Sequence, residues 1–241
     1  MAGTAIPPGG HGQRRRIVAE AQHDPAAAGR RRLDPEQTRQ EILAAAREEF
    51  AEHGLSGARV DAIAARTRTA KRMIYYYFGS KEGLYLAVLE AAYADIRQFE
   101  RDLKVDELPP AAAIRRLIDF TFDYDEAHPD FIRLVSTENM YHARHIARSP
   151  AIRETNAGVI ALLRGILDRG KREGVFRADA DPVDVHLMIS SFCFFRVANR
   201  ATFGALFGCD LSAAQTSDRH KTMLTEAVLH ALAPRADREG P

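Results

Sequence analysis

Residues 59–81 read RVDAIAARTRTAKRMIYYYFGSK, and the order of residue types there decides the fold. Val60, Ile63 and Ala64 recur at helical spacing, so a short helix can bury one stripe. Thr67, Arg68 and Thr69 interrupt that stripe. A second short helix follows from about Ala70 to Tyr77, with Met73 and Ile74 able to pack inward and Lys71, Arg72, Tyr75 and Tyr76 left on exposed faces. Two helices of this size on a tight connection make a helix-turn-helix, whose second helix enters the major groove of double-stranded DNA. The side chains suit DNA contact, since lysine and arginine neutralise phosphates or reach guanine edges, and tyrosine hydroxyls bond phosphate oxygens.

Upstream, Ile42-Leu43-Ala44-Ala45-Ala46 runs through Phe50 to His53-Gly54. Downstream, Tyr75-Tyr76-Tyr77-Phe78-Gly79-Ser80-Lys81-Glu82-Gly83-Leu84 closes the block. From about Asp34 to Leu89 this ordered pattern resembles the DNA-binding domain of the TetR family of bacterial transcriptional regulators. Two positions depart from it: Arg68 stands where the family usually has glycine, and Ala58-Arg59 where serine or threonine often precedes helix two.

The resemblance implies a homodimeric repressor that binds a palindromic operator and is released by a small-molecule effector. It places Arg59, Thr69, Lys71, Arg72, Tyr75, Tyr76 and Lys81 at the DNA, with Ser80 capping helix four so that Lys81 meets a phosphate. It also implies a helix four that couples effector binding to DNA release, and a dimer interface built from the last two helices.

The charge distribution agrees with DNA contact at one end. Residues 1–80 hold 13 Lys and Arg against 9 Asp and Glu, and the remainder holds 21 against 24. An amino-terminal third with a basic excess suits nucleic acid. Only two cysteines occur, Cys193 and Cys209, within apolar sequence, so buried thiols in a reducing cytoplasm are expected rather than a disulfide framework. No signal peptide or membrane span is predicted. Residues 1–33 carry glycine, proline, alanine and two arginine clusters, and read as a flexible basic arm, either an idle tail or a follower of phosphates.

Apolar residues elsewhere follow a 3.6-residue period with no alternating strand pattern, so the fold class is all-α. Proline after Asp34, Ser149 and Asp181 marks helix starts. Nine helices are expected, near 34–53, 60–66, 70–77, 81–103, 111–127, 130–146, 150–173, 182–207 and 212–232. The domains follow: a DNA-binding domain over 34–80, a ligand-binding and dimerisation domain over 81–233, and a frayed tail over 234–241. Helix four carries Leu84, Val88, Ala92, Ile96, Phe99 and Leu103 along one face.

Helix six turns polar halfway along its inward stripe: Phe131, Leu134 and Val135 are followed at helical spacing by Glu138, Tyr141 and His142, then His145, with Asn139 beside them. Buried polar groups need partners. Three readings stand: an effector cavity, a satisfied internal network or exposed helix end, and a metal site from Glu138, His142 and His145. The cavity reading takes Glu138, Asn139, His142, His145 and Asn156 as effector contacts. Phe122, an aromatic that packs readily in a core, is carried as a candidate wall. No metal or other cofactor is assigned. The expected eighth helix is apolar nearly all round, which asks for cover on all sides, and Phe194, Val197, Ala198, Ala201 and Ala205 are assigned to a dimer interface. No phosphate loop, nucleophile elbow or cysteine–histidine pair supports an enzyme. The rival readings are an effector-free activator or architectural DNA binder and a metal-dependent helical protein.

Overall fold

A computed structural model describes residues 34–235, and all its regular elements are helical. The expected basic arm over 1–33 and the tail from 236 onward lie outside the described residues. Ten α-helices occur among the described residues: α1 Pro35–Gly57, α2 Val60–Thr67, α3 Lys71–Phe78, α4 Lys81–Arg101, α5 Pro110–Ala127, α6 Pro129–Met140, α7 Pro150–Arg172, α8 Pro182–Ala198, α9 Arg200–Phe207 and α10 Ala214–Leu232. Within α1 the helical path breaks at Gly54, whose φ of 64° and ψ of 176° suit a residue without a Cβ. The regular part of α1 therefore ends near residue 53, as its sequence implies.

Caps explain several starts. Ser149 Oγ accepts from the Ile152 amide at 3.2 Å, and Asp181 Oδ1 accepts from Val183 and Asp184 at 2.7 and 3.2 Å. Each satisfies an amide that the first helical turn leaves without a partner.

Two expected helices are shorter than their periodicity implies. Helix six stops at Met140, because the chain turns through His142 and Ala143, both at positive φ, before a 3-10 turn at Ile146–Arg148. The expected eighth helix divides at Asn199, whose φ of −105° and ψ of 9° end α8 before α9 begins.

One apolar core runs from the helix-turn-helix into the rest of the chain. Ile42, Phe50, Ile63, Ile74 and Leu84 belong to the same buried cluster as Tyr85, Leu89, Phe131, Ile132, Leu134 and Ile152. The boundary expected at residue 80 is therefore not a break in packing. Arg47 on α1 ties the same region by ion pairs to Asp95 on α4, at 3.0 Å, and to Asp130 on α6. A second cluster, with Ile114, Leu117, Phe122, Leu163, Ile166, Ile189 and Val228, joins α5, α7, α8 and α10.

Candidate DNA-reading surface and effector pocket

In the helix pair, Ile63 of α2 and Ile74 of α3 are the buried anchors. The connection between them bends at Arg68, which adopts a left-handed conformation with φ of 51° and ψ of 28°. This is the position where glycine would carry no steric penalty. The residue opening α2, Arg59, has no side-chain cap, but its amide donates to Glu49 Oε1 at 2.9 Å. Glu49 is buried on α1 and also forms an ion pair with Arg66 Nη2 at 3.3 Å. A carboxylate borrowed from α1 thus steadies the start of α2, where the chain lacks a serine or threonine.

On α3 only Ile74 is fully buried. Lys71 and Arg72 are exposed, as is Arg59, while Tyr75 is 40% and Tyr76 78% exposed. Thr69 is half-buried, its hydroxyl donating to the Thr67 carbonyl at 3.1 Å. Lys71 Nζ meets Asp61 at 3.0 Å, an exposed and easily exchanged ion pair. The hydrogen bond to Asp61 raises the Lys71 ammonium above its ordinary range. Ser80 Oγ accepts from the Gly83 amide at 2.9 Å and caps α4. A Cβ at Gly83 would stand 2.1 Å from the Phe78 carbonyl oxygen, so this junction admits only glycine without a shift. Lys81 Nζ donates to the Ser56 carbonyl at 3.2 Å, which holds its ammonium beside the end of α1.

A cavity of about 340 Å³ lies among α4, α5, α6, α7 and α8. Its apolar walls include Tyr93, Ile96, Phe131, Val135 and Phe194. Its polar wall begins with Arg97 on α4, whose Nη1 donates to both oxygens of Glu100 and whose Nε donates to Asn156 Oδ1 at 3.1 Å. Asn156 Nδ2 in turn donates to the Ile152 carbonyl at 2.8 Å. Burial raises Glu100 above the usual carboxylate range, opposed by Arg97. Burial also pushes Asp125 up to about 7, with Arg97 opposing the shift and Glu126 and Glu100 adding to it. His186 lies below its ordinary range through burial and the nearby Arg97 charge.

The expected effector contacts divide. Asn139 and Asn156 line this cavity, whereas Phe122, Glu138, His142 and His145 do not. Phe122 is 1% exposed in the second core, with the Arg196 guanidinium 4.2 Å from its ring centre. Glu138 is buried and fully used: Oε1 accepts from the His145 and Ile146 amides at 2.7 and 3.0 Å, and Oε2 meets His145 Nδ1 at 2.8 Å. That is a satisfied internal network. It bridges the turn that ends α6. His142 is exposed on that turn, because the helical periodicity that would aim it inward stops two residues earlier. Among the described residues no group of three or more His, Cys, Asp or Glu side chains is arranged to hold a metal ion, so the three-residue metal reading has no geometry behind it.

The expected dimer residues also divide. Phe194 lines the cavity and Val197 packs against the first core. Ala198, Ala201 and Ala205 are exposed. The exposed residues of α8 include Phe195 and Ala198, with Leu187 and Ser191 exposed where they line the cavity, and on α9 Leu206 and Phe207 are 76% and 67% exposed. Phe99, expected on the inner face of α4, is 52% exposed, and Arg97 and Glu100 occupy the inward positions. Sequence reasoning missed Arg97, Glu100, Asp125 and His186. The spacing from Tyr93 to Arg97 and from Ile96 to Glu100 was the available signal, since it continues the buried stripe with charged residues.

Comparison with known proteins adds an independent line. A family model described as "Bacterial regulatory proteins, tetR family" matches residues 42–88, and one described as "Tetracyclin repressor-like, C-terminal domain" matches 110–228. The HTH-type transcriptional repressor NicS of Pseudomonas putida is 36% identical over 204 residues, covering 85% of this chain and 96% of the relative. The HTH-type transcriptional repressor SCO4008 of Streptomyces coelicolor is 38% identical over 138 residues, covering 57% of this chain and 68% of the relative. Among solved structures, the candidate transcriptional regulator SCO4942 from Streptomyces coelicolor matches with a TM-score of 0.61 and 32% identity, covering 81% of this chain and 98% of that one.

Proposed function

The chain belongs to the TetR family of bacterial regulatory proteins, and on that premise we propose that it is a homodimeric repressor, released from a palindromic operator when a small molecule fills the cavity bounded by α4 to α8. It is a DNA-binding transcriptional regulator and not an enzyme. No helix among the described residues is long and apolar enough to cross a membrane. We place its site of action in the cytoplasm, with the operator.

The observation that carries the DNA half is α3. An eight-residue helix that buries one isoleucine and offers Lys71, Arg72, Tyr75 and Tyr76 to solvent has more exposed basic and aromatic surface than packing requires. In our reading Arg72 and Lys71 reach base edges and phosphates in the major groove, and Tyr75 and Tyr76 bond the backbone. Arg59 and Thr69 flank them, and Lys81 exchanges the Ser56 carbonyl for a phosphate. The dimer is assigned to the outward faces of α8, α9 and α10, where Phe195, Leu206, Phe207 and Met223 are left uncovered within one chain. A two-fold protein reads two-fold DNA.

Release requires that the effector bind the non-DNA-binding conformation more tightly. Two elements lead from the cavity to the DNA-reading end. One is α4, which runs from the Ser80 cap past Arg97 to Arg101. The other is α6, which contributes Phe131 and Val135 to the cavity and packs on α1. Selecting bound sequences from random oligonucleotides with the purified protein tests the reading. An inverted-repeat consensus is expected, and enrichment of no sequence would overturn it.

A further inference from the structure

The cavity's polar wall has a charge pattern that discriminates among ligands. Arg97 is its sole fixed cation among the described residues, and that charge is already engaged by Glu100 and held in place by Asn156. Asp125 faces the same space from α5, is 5% exposed, and forms no hydrogen bond or ion pair among the described residues. A buried carboxylate without a donor is costly, and a ligand that supplies the donor relieves the cost. The serine and threonine hydroxyls of the lining are self-satisfied: Thr121, Ser190 and Ser191 donate to carbonyls three or four residues back, at 2.9, 2.7 and 3.3 Å. Three aromatic rings, Tyr93, Phe131 and Phe194, line the same space and suit a flat ring.

Resting on the reading of this cavity as the effector site, we infer that its ligand is a small planar ring compound that donates N–H hydrogen bonds, cationic or neutral, held by Asp125. A carboxylate of the same shape is excluded. An anion entering here meets Glu100 and Asp125 and finds the arginine committed elsewhere, since displacing Glu100 would leave that buried carboxylate unpaired. His186 is poorly placed to supply a compensating charge, because burial and Arg97 both disfavour its protonated form. A cation instead favours the ionised form of Asp125 and gains a charge-assisted hydrogen bond. A cavity of about 340 Å³ holds one or two fused rings and little more.

Benzamidine, benzamide and benzoate share one ring and one outline but carry positive, no and negative charge, so they isolate the variable. Binding of each at millimolar concentration is measured by calorimetry for the full-length protein, the isosteric Asp125→Asn, and the cavity-filling Ser190→Trp. Benzamidine is expected to bind at least about tenfold more tightly than benzoate, with benzamide between them. That preference should vanish in Asp125→Asn, and all binding should vanish in Ser190→Trp. Benzoate binding as tightly as benzamidine, or no binding by any probe, overturns the inferred ligand class. If that benzoate binding is lost in Ser190→Trp, the cavity is still the ligand site. Binding that survives in Ser190→Trp lies elsewhere, and overturns both the class and the reading of the cavity.

Discussion

Arg97 Nε donates to the Asn156 side-chain carbonyl at 3.1 Å, pinning the lower half of α4 to α7 at the cavity wall. Removing the acceptor leaves a buried guanidinium short of one partner. Asn156→Ala should therefore cost about 1–3 kcal/mol of stability. The site is remote from α3, so operator affinity measured by fluorescence anisotropy should stay within about twofold of wild type. A variant of unchanged midpoint in a urea titration would mean that Arg97 needs no such support.

Arg68 sits in the left-handed region between α2 and α3, with its Cβ crowding the backbone. Arg68→Gly should stabilise the fold by about 0.5–1 kcal/mol, the steric relief outweighing the extra freedom of glycine in the unfolded chain. Thermal unfolding of the two proteins side by side measures this. A lower melting temperature would show that the Arg68 side chain contributes more than its backbone strain costs.

DNA binding should fall steeply with salt, with a log–log slope of about −0.9 per phosphate neutralised. Lys81→Ala should weaken specific and nonspecific DNA alike and flatten that slope by about one phosphate contact, because a phosphate contact carries no sequence information. Arg72→Ala should instead change the ranking of operator variants, by about 1–3 kcal/mol at the base pair it reads. Competition assays across single-base operator variants separate the two behaviours, and equal losses everywhere for Arg72→Ala would remove it from base recognition.

Phe195 and Phe194 are neighbours in sequence but project about 100° apart around α8, Phe195 being 49% exposed and Phe194 lining the cavity. Phe195→Glu should give monomers that have lost operator binding, whereas Phe194→Ala should remain dimeric and alter only ligand binding. Light scattering at micromolar concentration reads the difference. A dimeric Phe195→Glu protein would move the interface off this face.

Asp125 is raised to about 7 by burial, from an ordinary value of 3.8. Between these values the unfolded chain releases this proton before the folded one does, so the group's contribution to stability falls as pH rises through that window and is lowest above it. Asp125→Asn removes the effect. The variant should match wild type near pH 4 and exceed it by about 2–4 kcal/mol at pH 8. Unfolding titrations at the two pH values test the sign as well as the size.

The parts of this architecture that sequence reveals are those written in residue types. Ile63, Ile74 and the basic and aromatic residues of α3 lie where their spacing puts them, and Ser80, Ser149 and Asp181 cap the helices they precede. What stays hidden lacks a local mark. The chain leaves α6 through His142 and Ala143, residues that ordinarily favour helix or strand, with no glycine or proline to announce the turn. Asn199 divides α8 from α9 with equally little warning. The cavity's polar wall is hidden for another reason. Arg97, Glu100 and Asp125 are charged residues on amphipathic helices, and only tertiary packing turns them inward.

Phe50, Tyr85 and Leu134 meet in a single core although they come from opposite sides of residue 80. Hybrid regulators made by joining the first 80 residues to the remainder of a different relative would confront unmatched surfaces at α1 and α6. Such chimaeras should be aggregation-prone unless the α6 face is carried over with the head. The unit of exchange between regulators of this kind is then a discontinuous set of residues rather than a contiguous stretch of gene.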